Sequence, residues 1–414
     1  MILGRSLKKG FLLFIGFVSW LGTSALWPCT LALVSGKATI DGRPLMWKNR
    51  DATEVNNKML YFSGIKYKFI GLVNAEDAKG ESVWGGLNSE GFAVMNSLAE
   101  DLGSQGKGGA DNGRLMKQAL GECASVADFE NFLGRIKGSM NLSADFGVID
   151  AQGNACFFET SRSSYDKFDA RDPRVAPFGY IVRTNYAFSS PDVLLGSGFI
   201  RFERISHIIQ SARGQNRIDL KFILQEASRD LVNEKLHSYP LTVALPSDPA
   251  SPLFINTSDT INRYSSVSAV VFHGAPSSEK AFLATMWALL GQPVSTVAVP
   301  LWVGAGKVPA ATTGSKTAPL NSLSKALVSY LYPDQRSRMK QYLNINRLRT
   351  YGGESILGRL FKIENQILEQ TAAKLNEWEN KKPAEAETAD FQEKIASWAY
   401  ESMRMAFPDM KIEN

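Results

Sequence analysis

Histidine is scarce in this chain: three in 414 residues, at 207, 237 and 273. Cysteine is equally scarce, at 29, 123 and 156. None of the histidines is near a cysteine in sequence, so the ligand spacing of a zinc site is missing. No metal and no cofactor is expected. The run "GSQGKGGADNG" (103–113) is rich in glycine but lacks the spacing of a phosphate-cradling loop, and reads as a surface loop or a lid. No basic stripe is interleaved with aromatics. The formal charge of +5 falls to +2 without residues 1–28, which hold three basic and no acidic side chains. Nucleic acid is therefore not an expected partner. Past residue 21, no apolar run is long enough for a membrane helix, so stable insertion is not expected.

What the chain does have begins at its start. Arg5, Lys8 and Lys9 precede the apolar "FLLFIGFVSWL" (11–21), and Thr23 and Ala25 supply small residues at a cleavage site. Residues 1–25 thus have the anatomy of a signal peptide, and the expected destination is periplasmic or secreted. Residues 26–28, Leu-Trp-Pro, form a short propeptide before Cys29. Trp27 and Pro28 suit lipoprotein processing badly, because that site takes small residues. Cys123 and Cys156 are able to pair in an exported protein, though spacing alone does not establish the bond.

Cutting Pro28–Cys29 would put nucleophile and base in one residue. A free α-amino group has a pKa of about 7.7–8.0 and accepts a thiol proton near neutrality without a histidine. While Pro28 is attached, the same nitrogen is an amide and has no basicity. The expectation is an exported, self-processed amidohydrolase acting through an acyl-cysteine thioester. Transfer of the acyl group to an amine, a non-enzymatic exported binding protein and a lipoprotein are the alternatives.

Strand signals dominate residues 30–160. Hairpins are expected from "CTLALVSG" with "PLMWKNRD", "SVWGGL" with "FAVMNSL", and "DFGVID" with "NACFFET", beside a strand at 66–73. Helices are expected over 113–122 and 126–136, the second opened by a Ser125/Asp128 capping box, and again over 200–212 and 219–231. Strands return at 179–188, 265–274, 280–289 and 296–303. Beyond about 320 the pattern is helical, with "KKPAEAETAD" (381–390) as a linker. Hairpins with helices outside imply α+β architecture, two stacked and mostly antiparallel sheets covered by helices. The expected units are a catalytic domain over 29–320 and a helical region over 321–414 packed on it.

"CTLALVSGKATIDGRPLMWKNRD" resembles the start of the N-terminal-nucleophile cysteine hydrolases, in particular the acyl-CoA:6-aminopenicillanic acid acyltransferase-like and choloylglycine hydrolase groups. The resemblance continues through "WGGLNSEGFAVMNSL", "RTNYAFSS…RFERISHII" (183–209), "SSVSAVVFHGAP" and "LGQPVSTVAVPLWVG", covering about residues 29–304. It implies an αββα sandwich and cleavage of linear amide C–N bonds in an acylated amine or amino acid, with homo-oligomers common. Residue by residue it implies Cys29 as nucleophile, Asp51 holding the cysteine amine or thiol, and Asn96 and Asn185 beside the tetrahedral intermediate. Lys48 stands where bile-salt hydrolases carry arginine, so either Arg50 takes that task or Lys48 supplies charge alone. Arg263 matches a late family arginine. Asn88 reads as turn-forming, while Trp84, Phe92 and Phe188 fit an apolar acyl group near the site and core packing equally well. In an alternating strand Asp51 points away from Lys48 and Arg50 unless the strand ends or bulges there.

Overall fold

The computed structural model describes residues 29–103, 109–238, 251–332 and 339–410. The expected signal peptide and propeptide, and residues 104–108 of the glycine-rich run, lie outside them.

β1 (Thr30–Val34) and β2 (Leu45–Asp51) form the expected first hairpin, buried along their whole length. A seven-stranded meander follows, each strand antiparallel to the next. It comprises β3 (Asn57–Ser63), β4 (Lys68–Asn74), β5 (Gly85–Asn88), β6 (Ala93–Leu98), β7 (Ala144–Ile149), β8 (Ala155–Thr160) and β9 (Tyr165–Asp169). Two helices interrupt it, α1 (Asn112–Glu122) and α2 (Val126–Ile136). α2 opens as expected: Ser125 Oγ accepts from Asp128 N–H at 3.1 Å, and the Asp128 carboxylate accepts from Ala124 N–H at 3.0 Å.

The chain then returns to the first sheet. β10 (Tyr180–Arg183) pairs with β1, and α3 (Phe199–Gly214) and α4 (Leu220–Gln225) pack on that sheet. After β11 (Phe254–Asn256) come β12 (Ser266–His273), β13 (Thr285–Leu290) and β14 (Val299–Leu301), which give the order β10-β1-β2-β12-β13-β14. β12 and β13 are buried throughout and apolar in their middles, as central strands are expected to be. The remainder is helical apart from β15 (Tyr342–Asn344), which pairs with β11: α5 (Pro319–Leu331), α6 (Ile345–Arg349), α7 (Ile356–Asn380) and α8 (Glu385–Ala406).

The two large sheets stack face to face, β1 against β6 and β8, β2 against β7 and β13 against β5. Gly85 is required by that closeness, since a Cβ there would stand 3.2 Å from Val270 on β12. α1 covers β4–β6, while α3, α4 and α5 cover β1, β10, β12 and β13. The protein is an α+β, four-layered αββα sandwich.

Several boundaries differ from expectation. β3 and β9 were not evident in the pattern. Residues 280–283, read as the start of a strand over 280–289, belong to a 3₁₀ segment, Ser278–Leu283. The strand expected over 179–188 ends at Arg183, and the linker at 381–390 is mostly the first turns of α8. The helical tail is tied into the sandwich: Glu364 on α7 forms a buried two-pronged pair with Arg229 at 2.8 and 2.9 Å, and Trp378 packs edge-on against Trp302. α5 begins at Pro319, so residues 320 and 321 fall within one helix.

Candidate active site

Cys29 stands just before β1, whose register sets Thr30 opposite Asn49 of β2. That register brings the cysteine beside the charged end of β2, Lys48-Asn49-Arg50-Asp51. Cys29 is nearly enclosed, at 6% exposure. Its carbonyl oxygen is held by Arg201 Nη1 at 2.5 Å, and the same nitrogen reaches Thr30 Oγ1 at 2.9 Å. The other guanidinium arm donates to Asn185 Oδ1 at 3.1 Å. Arg201 is fully buried, and one planar fork thus ties the Cys29 main chain to the loop after β10.

Asp51 is held from two other segments. The β2–β12 register shifts between Ser266 and Ser268, a bulge that meets the condition for aiming Asp51 into the site. Ser266 Oγ donates to Asp51 Oδ1 at 2.6 Å, and Arg263 Nη1 lies 3.8 Å from Oδ2. Oδ2 accepts no hydrogen bond, although it is buried. Burial pushes the Asp51 carboxyl up to about 6, against the opposing pull of Arg263 and Arg201.

Lys48 leaves β2 to cross to the second sheet. Its ammonium donates to Asn96 Oδ1 and to the Trp84 carbonyl, both at 2.9 Å. Burial lowers its pKa to about 8, partly offset by the nearby Cys29 and Asp51. With its oxygen engaged by an ammonium, the Asn96 amide presents its NH₂ on the opposite edge. Arg50 is buried too, donating to Asn57 Oδ1 at 2.6 Å and Asn74 Oδ1 at 2.7 Å while lying over the Trp84 ring. Lys48 and Arg50 therefore have separate tasks: the lysine reaches Asn96, and the arginine fastens β3 and β4. Asn185 differs from Asn96, because both its N–H groups are spent, on Ser97 Oγ at 2.9 Å and the Leu98 carbonyl at 2.7 Å.

The structure thus brings Cys29, Lys48, Arg50, Asp51, Asn96, Asn185 and Arg263 into one buried polar cluster. Phe92 is not part of it; it packs against Phe129 in the core beneath α1 and α2. Phe188 is half exposed and lies over Arg183, and Trp84 touches the site through Arg50 and Lys48. Asn88 shapes its turn, accepting from the N–H groups of Glu90 and Phe92. Cys123 and Cys156 are unpaired thiols in the aromatic core, both pushed up to about 12 by burial. Among the described residues no group of His, Cys, Asp or Glu is arranged to hold a metal.

Two participants escaped the sequence reading, Arg201 and Ser266. The signal for Arg201 was available: it falls on the buried stripe Arg201, Ile205, Ile209, Ala212 of α3, where an arginine needs internal partners.

No protein-family model and no curated protein matches this chain. Among solved structures, it is similar to a mutant of the conjugated bile acid hydrolase from Clostridium perfringens, with a TM-score of 0.41 and 11% identity over 66% of this chain and 92% of that one. It is similar also to the penicillin V acylase from Agrobacterium tumefaciens, with a TM-score of 0.37 and 12% identity over 66% of this chain and 85% of that one.

Proposed function

We propose that the chain is an exported, self-processed amidohydrolase whose nucleophile is the thiol of Cys29 and whose base is the α-amine released when Pro28–Cys29 is cut. The observation that carries this reading is the setting of Cys29, whose neighbours among the described residues are Lys48, Arg50 and Arg201 and include no histidine. The histidines bond to other groups: His207 to Glu234, His237 to the Asn256 carbonyl, and His273, opposite Leu45 at the far end of β12, to Asp41. Asp51 Oδ2, buried and without a donor, suits an amine that exists only after the cut.

In the proposed reaction the amine takes the thiol proton, and sulfur attacks the substrate's amide carbonyl. The displaced electron pair becomes an oxyanion facing the Asn96 NH₂; one such donor contributes about 3 kcal/mol to the transition state. The C–N bond then breaks, and the leaving nitrogen takes the proton from the amine. Water, deprotonated by the same amine, attacks the thioester, releases the carboxylic acid and restores the thiol. An amine in place of water gives acyl transfer. Asn185, with both N–H groups engaged, serves as the anchor of Arg201, and a contribution to the oxyanion would require release from Ser97 or Leu98.

The test is the N-terminal sequence and intact mass of the exported protein, wild type beside Cys29→Ala. A wild type starting at Cys29, with the variant retaining Leu26-Trp27-Pro28, supports the reading; both starting at Leu26 overturns it.

A further inference from the structure

Ser97 on β6, Asp145 on β7 and Glu159 on β8 are register partners, so their side chains form one row across the second sheet. The loop after β10 is fastened to both ends of that row. Ser97 Oγ donates to the Thr184 carbonyl and accepts from the Asn185 amide. At the other end, Glu159 Oε1 accepts from Phe188 N–H at 3.0 Å and from Arg183 Nε at 2.7 Å, and Oε2 accepts from Ser189 N–H at 2.7 Å. Asp101, just past β6, accepts from Ala187 N–H at 2.9 Å. Three consecutive loop N–H groups thus end on two buried carboxylates. Asp145, in the middle of the row, bonds to none of them, and both its buried oxygens are without a donor. Burial, with Glu159 alongside, pushes its carboxyl well above the usual range.

The same loop reaches Cys29. Asn185 Oδ1 accepts from Arg201, whose other arm holds the Cys29 carbonyl. The Asn185 main chain also pairs with Ser197, just before α3, the helix that carries Arg201. We propose that Glu159 is a positioning residue for the reaction at Cys29, assisted by Asp101. By fixing Ala187, Phe188 and Ser189 the two carboxylates set Asn185, through it Arg201, and through Arg201 the place of the Cys29 carbonyl. The proposal rests on the amidohydrolase reading and extends its machinery to groups that never meet a substrate. The hold matters most once Pro28 is gone, because the new chain end then has a covalent neighbour on one side alone.

The test needs no added substrate, because Pro28–Cys29 is the first bond the site would cut. The full-length chain is pulse-labelled in an exporting host, and the half-time for converting the Leu26 form to the Cys29 form is read by intact mass. Glu159→Gln keeps the volume but sets an NH₂ against a donor, and should slow the cut about tenfold, within the loss of about a hundredfold that a misplacement of about 1 Å brings. Arg201→Lys should slow it at least as much, and the double variant should be no slower than Arg201→Lys alone, since both changes act on one chain of contacts. Asp145→Asn should be cut at the wild-type rate. Unchanged cutting in Glu159→Gln overturns the proposal, as does a double variant slowed by the product of the single effects, the mark of a merely structural role. Equal slowing in Asp145→Asn also overturns it, because the charge of the row and not its bonds to the loop would then be at work. If Glu159→Gln does not accumulate folded, Asp101→Ala, which removes the acceptor of Ala187 N–H, carries the same comparison with an expected slowing of about threefold, and unchanged cutting there overturns the proposal. A wild type that never begins at Cys29 would instead overturn the amidohydrolase reading, so the two failures are distinguishable.

Discussion

Cys29 and Cys156 are both buried thiols on sandwich strands or their edges, and their surroundings are opposites. Cys156 lies among Phe129, Phe146 and Phe158 beneath α2, where burial pushes its thiol up to about 12 and leaves it protonated and inert. Cys29, by contrast, lies beside three buried cations, Lys48, Arg50 and Arg201. The second sheet buries apolar surface against helices, while the junction of the two sheets at Cys29 buries charge. Buried charge must be paired and hydrogen-bonded to persist, and Lys48, Arg50 and Arg201 each donate to two separate chain segments. A buried cysteine becomes reactive through its neighbours, and burial alone makes it the reverse.

The largest effect expected from this contrast is on turnover. Cys29→Ala should reduce amide hydrolysis to background, whereas Cys156→Ala should retain it, as measured by product release from an N-acyl amino acid panel. Activity in Cys29→Ala would break the distinction. Next comes Asn96→Ala, which should lower kcat about a hundredfold or more with KM little changed, the mark of a donor used mainly in the transition state. A fall confined to KM would place Asn96 in substrate binding instead.

The pH dependence sharpens the comparison further. The Asp51 carboxyl is raised to about 6 from an ordinary value near 3.8, so it is protonated as pH falls through about 6. Activity that needs the carboxylate should therefore decline below about pH 6 in kcat/KM, and Ser266→Ala, which removes a bond to the ionised form, should move that limb upward. The sign for stability is opposite to that of a salt-bridged carboxylate. The folded state holds this proton more tightly than the unfolded chain, so Asp51 favours folding at low pH, and that contribution is lost as pH rises through about 6. The smallest effect is expected in the aromatic core, where Cys156→Ala should lower stability by about 1 kcal/mol in chemical denaturation and leave the pH profile unchanged.

Much of this was legible in the sequence, for identifiable reasons. Tight turns such as Asn88–Gly91 and the Ser125/Asp128 cap are local signals, and they predicted β5–β6 and α2 correctly. The charged end of β2 was picked out through the family resemblance of the stretch that ends in "KNRD", which implied the roles of Lys48, Arg50 and Asp51. Arg201 was missed because an arginine on a helix is usually solvated, and only the stripe it shares with Ile205 and Ile209 reveals its burial. The bulge at Ser266 was not visible, since it depends on how β12 pairs with β2. Residues 280–284 misled because apolar alternation over a few positions fits a 3₁₀ turn as well as a strand. Phe92 follows the core-packing alternative, because it precedes β6 and packs with the aromatics beneath α1 and α2.

Arg201 grips Cys29 by the carbonyl, on the far side of the residue from Pro28. A cut at Pro28–Cys29 would break no part of that grip. Maturation would then resemble lifting a casting from its mould: the leader departs, while the new chain end keeps the position in which it was formed.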